Sequence, residues 1–226
     1  MFIRISNNEA INFLLPRHYS GRKPPISYAF AVVENGVIVA VCTFGKPASN
    51  NLCYGICGRE LSPNVIELNR LCREDEYKEQ LSEFVAWCLR ELRKIDNFII
   101  VSFSDMGMNH NGYIYQALNF LYTGESAKRT DWFDYTNRHP RTLNNPNNGI
   151  RRIRSVKHRY VYFVGDKRFK KLCKSKLNYE IQPYPKGENQ NYNLGEYQKI
   201  HIVENGVNKT ISIENNNKIL NQLRLF

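Results

Sequence analysis

The chain lacks any apolar run of membrane-spanning length. Nothing approaches about 18 consecutive apolar residues, and the stretch from Ile26 to Val33 is among the longest. A transmembrane helix is therefore not expected. The first ten residues, MFIRISNNEA, lack the basic-then-apolar layout of a secretory leader. A disulfide framework is missing too, because the six cysteines are widely scattered. Reduced thiols and a cytoplasmic protein follow as expectations. There is no P-loop, no G-x-S-x-G and no G-x-G-x-x-G. Zinc spacing is missing as well: Cys53 and Cys57 stand four apart with no second pair. Acids are nearly missing from one stretch. Between Arg138 and Lys176 stand thirteen lysines and arginines and a single acid, Asp166. The rest of the chain is close to neutral, although the whole carries +11. So confined an excess points to a polyanionic partner, with nucleic acid foremost.

What is present suits a folded domain. The 226 residues are 42% apolar and 23% charged, enough to bury a core without staples. Phe2 to Ser6 reads as a strand. Ser6 and Glu9 fit a capping box opening a helix through Leu15, stopped by Pro16. Arg17 to Pro25 reads as a loop. Two apolar runs then flank Glu34-Asn35-Gly36, a strong hairpin signal. A second Asn-Gly hairpin, IHIVENGVNKTISI, follows near the C-terminus. Between them, VIELNRLC predicts a strand. Leu81, Phe84, Val85, Cys88, Leu89, Leu92 and Ile95 predict a helix, opened by Glu74, Asp75 and Glu76. FIIVSF predicts a buried strand, so the two strands are expected to be parallel neighbours. A further helix is expected from Asn109 to about Leu121, and an exposed loop over RHPRTLNNPNNGIRRIR. HRYVYFV predicts a late strand and Asp166 the cap of a short basic helix.

Ligands of open α/β sheets bind beyond the carboxyl ends of the strands. Here those ends carry Arg70 and Asp105. Asp105 can accept a proton; Arg70 can hold an anion, or the two can simply pair. The loop RHYSGR supplies His18, a candidate acid, base or metal ligand. Tyr115 can reach the rim carrying Asp105. His110 is expected at a helix start, where backbone N–H groups receive anions. Tyr160 and Tyr162 share one strand face and are expected mostly in the core.

The ordered set RHYSGR, IELNRLC, FSDMGMNHNGYIYQALNFLYTG, KHRYVYF and PYPK resembles the phage Mom-type DNA adenine modification proteins, over roughly Ile11 to Lys186. The resemblance implies an α/β (α+β) fold: a GNAT-like mixed, centrally splayed sheet flanked by helices. To this the sequence adds a C-terminal β-hairpin appendage. Residues 1–197 would form the catalytic domain, with a DNA-binding segment at 138–176, and 198–226 the hairpin and tail. The implied activity places a carbamoylmethyl group on the N6 amine of adenine in phage DNA, in the host cytoplasm, against restriction. The catalytic positions implied are His18, Tyr19, Arg70, Asp105 and Tyr115. The resemblance also implies iron, with His18, Tyr19 and Asp105 as its ligands. Double-stranded DNA would be gripped by Arg138, Arg141, Arg151, Arg152, Arg154, Lys157, Arg159, Lys170 and Lys171. A small-molecule group donor is implied but not identified. The turn Cys72-Arg73-Glu74-Asp75-Glu76 argues against acyl-CoA, because carboxylates without glycine repel a pyrophosphate. The alternatives are a GNAT-type N-acyltransferase on a small amine or protein, and a non-enzymatic basic DNA-binding or anti-restriction protein.

Overall fold

The computed structural model describes residues 1–226 apart from 19, 21, 78–80, 136–148, 188–196 and 215–226. The readings made for Tyr19, Arg138 and Arg141 therefore lie outside the described residues. Strand β1 (Phe2–Arg4) leads into helix α1 (Asn7–Arg17). The capping box is there: Ser6 Oγ accepts from the Glu9 N–H and the Glu9 carboxylate from the Ser6 N–H. Pro16 does not stop the helix as expected. It costs one helical hydrogen bond in the last turn, and the His18 N–H still closes on Leu14 O at 2.8 Å.

Strands β2 (Tyr28–Glu34) and β3 (Val37–Gly45) form the first hairpin. Asn35 and Gly36 take φ of 50° and 79°, the positive pair that a two-residue turn needs. Helix α2 (Asn50–Cys57) follows, its N-cap Ser49 accepting the Leu52 N–H. Then come β4 (Val65–Arg73), α3 (Leu81–Arg93) and β5 (Phe98–Asp105). Glu74, Asp75 and Glu76 stand ahead of α3, not in its first turn.

The helix expected from Asn109 shrinks to α4 (Tyr113–Ala117). Asn109, Gly112 and Asn119 sit at φ of 52°, 72° and 57°, which no α-helix accommodates. Strand β6 (Leu121–Glu125) takes over where the helix was to end. TDWFDYT reads as strand-like from the sequence, and strand β7 (Thr130–Trp132) takes up its first three residues. Part of the expected loop is strand β8 (Ile150–Ile153). The chain continues through β9 (Lys157–Val164), α5 (Lys167–Ser175), β10 (Tyr197–Glu204) and β11 (Val207–Glu214).

The main sheet runs β1-β2-β3-β4-β5-β9-β6. Every neighbouring pair is antiparallel except β4 and β5. Those two pair only from Val65/Ile99 to Leu68/Ser102. Past that point β4 stays with β3 and β5 stays with β9, so the centre splays into a V. This is the mixed, centrally splayed architecture that was expected.

A bulge makes the V useful. Phe44 pairs with Leu68 and Thr43 with Arg70, so Asn69 is the extra residue. Strict alternation would send Arg70 to the side of Leu68. Instead Leu68 and Leu71 both pack on the α3 face, while Cys72 packs with α1. Arg70 thereby joins the α1 face. That face holds α1 over β2 and β3, through Phe13, Leu14, Ala29 and Val41. It also holds α2 and α5, through Ile56, Val65, Val101 and Cys173. The α3 face holds Phe30, Phe44, Phe84, Leu92, Phe120 and Tyr160. Each such buried side chain contributes about 2 kcal/mol. Tyr160 and Tyr162 do belong to the core on that face. The C-terminal hairpin is not isolated: β10 pairs with β8 in a second sheet, ordered β11-β10-β8-β7. All six cysteines are free thiols, as expected.

Candidate active site at the splay

The site is built where β4 and β5 part. Asp105 ends β5 and is buried. Its Oδ1 accepts the Gly107 N–H at 3.0 Å, and its Oδ2 lies 3.3 Å from Lys157 Nζ. The antiparallel register sets Lys157 directly opposite it. Arg70 lies on the other arm, two residues past Leu68 where the pairing with β5 ends, its Nη1 donating to Asn69 O at 2.6 Å.

His18 caps the C-terminus of α1. Ser20 donates its backbone N–H to His18 Nδ1 at 3.1 Å. That bond fixes the neutral tautomer: Nδ1 is the acceptor and Nε2 carries the proton. Burial pushes the imidazole pKa down to about 3, helped by the charges of Arg70, Lys157 and His110. The structure thus gathers His18, Arg70, His110 and Lys157 around one point, with Asp105 at its edge. His110 does not open a helix as expected; its N–H donates to Asp105 O at 3.1 Å.

His18 also sets a stability limit. The unfolded chain takes up a proton below pH 6.5, whereas the folded imidazole resists to about 3. Stability is therefore full above about pH 6.5 and falls as the pH drops, by about 2 kcal/mol at pH 5. Urea unfolding at several pH values should show that slope between pH 6.5 and 5, and His18→Gln should flatten it. An unchanged slope in the variant would acquit His18.

Two features escaped the sequence reading. Glu67 sits within the paired arm of β4, half-buried, and burial raises its pKa against the opposing charges of Arg70 and Lys157. An acid inside the apolar run VIEL was the available signal. The second is the tie between the loop and the sheet. Arg17 Nε donates to Glu74 at 2.7 Å, anchoring the end of α1 to the turn after β4. Asn69 Nδ2 donates to Pro25 O at 2.7 Å, and Thr43 Oγ1 donates to Asn69 Oδ1 at 2.7 Å.

Tyr115 lies on the α3 face, 5.4 Å from the Phe120 ring and 5.2 Å from the Tyr160 ring between centroids. The basic stretch divides. Lys157 and Arg152 are at the splay. Arg151 lies over Trp132 at 4.3 Å and donates to Thr130 Oγ1 at 2.7 Å. Arg159 lies over Tyr179 at 3.5 Å and donates to Thr123 Oγ1 at 2.9 Å. Lys170 and Lys171 ride on α5, which starts beyond Val164, the residue opposite Phe98. That is the far end of the sheet, about 20 Å of strand from Asp105.

Tyr19, one of the three ligands implied for iron, lies outside the described residues. Among the described residues no three His, Cys, Asp or Glu side chains converge as metal ligands. In its hydrogen-bonded tautomer, His18 offers a proton at Nε2 and a lone pair already engaged at Nδ1.

The Mom protein family model matches residues 1–186. The chain belongs to that family. Methylcarbamoylase mom of Escherichia phage Mu is 28% identical over 187 residues, covering 75% of this chain and 77% of that protein. Among solved structures, an N-acetyltransferase from Staphylococcus aureus Mu50 overlaps 73% of this Mom-family chain and 98% of its own. Its TM-score is 0.47 and its identity 13%. The ribosomal-protein-S18-alanine N-acetyltransferase from Escherichia coli overlaps 74% and 94%, with a TM-score of 0.44 and 11% identity.

Proposed function

We propose that this Mom-family protein transfers a carbamoylmethyl-type group to the N6 amine of adenine in DNA, shielding phage DNA from restriction inside the host cell. What carries the reading is the identity to Methylcarbamoylase mom across 75% of the chain. The chemistry of the splay is consistent with it. Stacked adenine hides its amine, so the base is extruded into the V. The N6 lone pair is delocalised into the ring, which makes the amine a weak nucleophile. It needs a base to take a proton as the new N–C bond forms. Asp105 is that base. The bond from the transferred carbon to its leaving group breaks, and the leaving group keeps the electron pair. Arg70 and the Nε2–H of His18 are the donors that steady the negative charge developing there. His18 is thus a hydrogen-bond donor in this reaction, not a second base. Glu74, already held by Arg17, lines the turn after β4 with carboxylate, which favours a donor without a pyrophosphate.

DNA from cells expressing the chain, digested to nucleosides and weighed by mass spectrometry, tests the reading. A deoxyadenosine adduct of carbamoylmethyl mass is expected. Unmodified deoxyadenosine alone would overturn it.

A further inference from the structure

A second cluster of charge lies beside the splay, and the catalytic step leaves it unused. Strand β8 ends at Ile153 and β9 begins at Lys157. The short link between them crosses the end of β5. Met106 N–H donates to Val156 O at 3.1 Å, and a Cβ on Gly107 would meet Ser155 Cβ at 2.7 Å. The link thus carries Arg154 to the rim of Asp105, and Arg152 reaches it from the end of β8. Arg154 Nε lies 3.4 Å from Asp131 Oδ2, and Arg152 pairs in register with Asp131. Arg22 arrives from the loop after α1, more than a hundred residues away in sequence. It feels both Arg154 and Asp131.

The balance of charge is uneven. Among the described residues, Arg22, Arg152, Arg154 and Lys157 gather around Asp105 and Asp131, and Glu67 adds a third carboxyl that Lys157 shares with Arg70. Partial burial and mutual repulsion weaken the hold of Arg22 and Arg152 on their protons. Like charges held together without an anion cost free energy that a bound anion returns. Arg151 shows the contrast: it bonds to Thr130 and lies over Trp132, and alternation along β8 turns it to the other face from Arg152. Guanidinium forks match the paired oxygens of a phosphodiester.

We propose that Arg22, Arg152 and Arg154 form a phosphate claw that grips the phosphodiester flanking the extruded adenosine. The claw rests on the reading that this protein acts on adenine in DNA. It converts general attraction for DNA into registration: the phosphate is seized beside Asp105, so the neighbouring base is the one that enters the V.

The test uses short fluorescent duplexes with a single A·T pair. One linkage is made uncharged as a methylphosphonate, either flanking the adenosine or far from it. Fluorescence anisotropy should show the flanking neutral linkage weakening wild-type binding roughly tenfold. The remote one should cost much less. In Arg152→Gln and Arg154→Gln, checked for unchanged melting, flanking and remote linkages should weaken binding equally. Wild-type binding that is blind to the linkage's position overturns the claw, and needs no variant to be folded. A positional effect that survives in both variants overturns it as well. If cellular DNA still carries the adenine adduct in those cases, the proposed function stands without the claw. If wild-type protein leaves no adduct, the function reading falls, and the claw's assignment to that adenosine falls with it.

Discussion

Gly45→Ala is expected to remove modification activity and to lower the melting temperature by about 6–12 °C. Gly45 ends β3 at the root of the splay, opposite Glu67. A Cβ there would overlap the Pro25 carbonyl oxygen and come 2.6 Å from its carbon. Both obstacles are backbone, so neither can rotate away. The same carbonyl oxygen accepts the Asn69 bond, and Ser27 N–H donates to Phe44 O at 2.8 Å beside it. Displacing Pro25 breaks the tie between sheet and loop and carries His18 and Arg22 off the splay. Overpacking of this kind costs about 3 kcal/mol. Gly36→Ala is the matched control. Its φ of 79° makes alanine strained, yet nothing lies within 4 Å of the new methyl. It should cost about 1 kcal/mol and leave modification unchanged. Equal adduct yields from Gly45→Ala and wild type would refute the claim that this loop completes the site.

Why Gly45 escapes a reader of the sequence is instructive. Both hairpins were legible because Asn-Gly states its turn geometry locally. The β4–α3–β5 unit was legible because its apolar periodicity is long and unbroken. Periodicity misled over α4: Ile114, Leu118 and Leu121 keep helical spacing, but the positive φ of Gly112 delays the start of the helix and that of Asn119 closes it early. Composition misled at β8, where four strand residues sit behind an Asn- and Pro-rich segment. Asp105 does end β5, whereas Arg70 stands three residues before the end of β4 at Arg73. What no local pattern announces is the bulge at Asn69, which decides the face that Arg70 takes. Lys157 is equally silent, since its place opposite Asp105 depends on the register of a strand fifty residues on. The convergence of Arg22 with Arg152 and Arg154 joins two loop residues and one on an inner strand, which only the tertiary fold brings together.

Asp105→Asn is expected to cut adduct formation by about a hundredfold or more, the usual worth of a positioned general base. The amide keeps an oxygen for the Gly107 N–H, so the chain beyond β5 holds its course. Melting should fall by only a few degrees, and DNA affinity should hold or rise as one negative charge leaves a cationic rim. The rival explanation is an ion pair that merely holds Lys157 in place. Removing both partners separates the two. If Asp105 serves only to neutralise Lys157, Asp105→Asn combined with Lys157→Met relieves the stranded cation and restores activity. If Asp105 takes the amine's proton, the double variant stays as inactive as the single one. Glu67→Gln completes the comparison, because Glu67 is the other carboxyl group at the root of the V. Its loss should leave most of the adduct in place. An inactive Glu67→Gln beside an active Asp105→Asn would transfer the proton-accepting role from the end of β5 to the middle of β4.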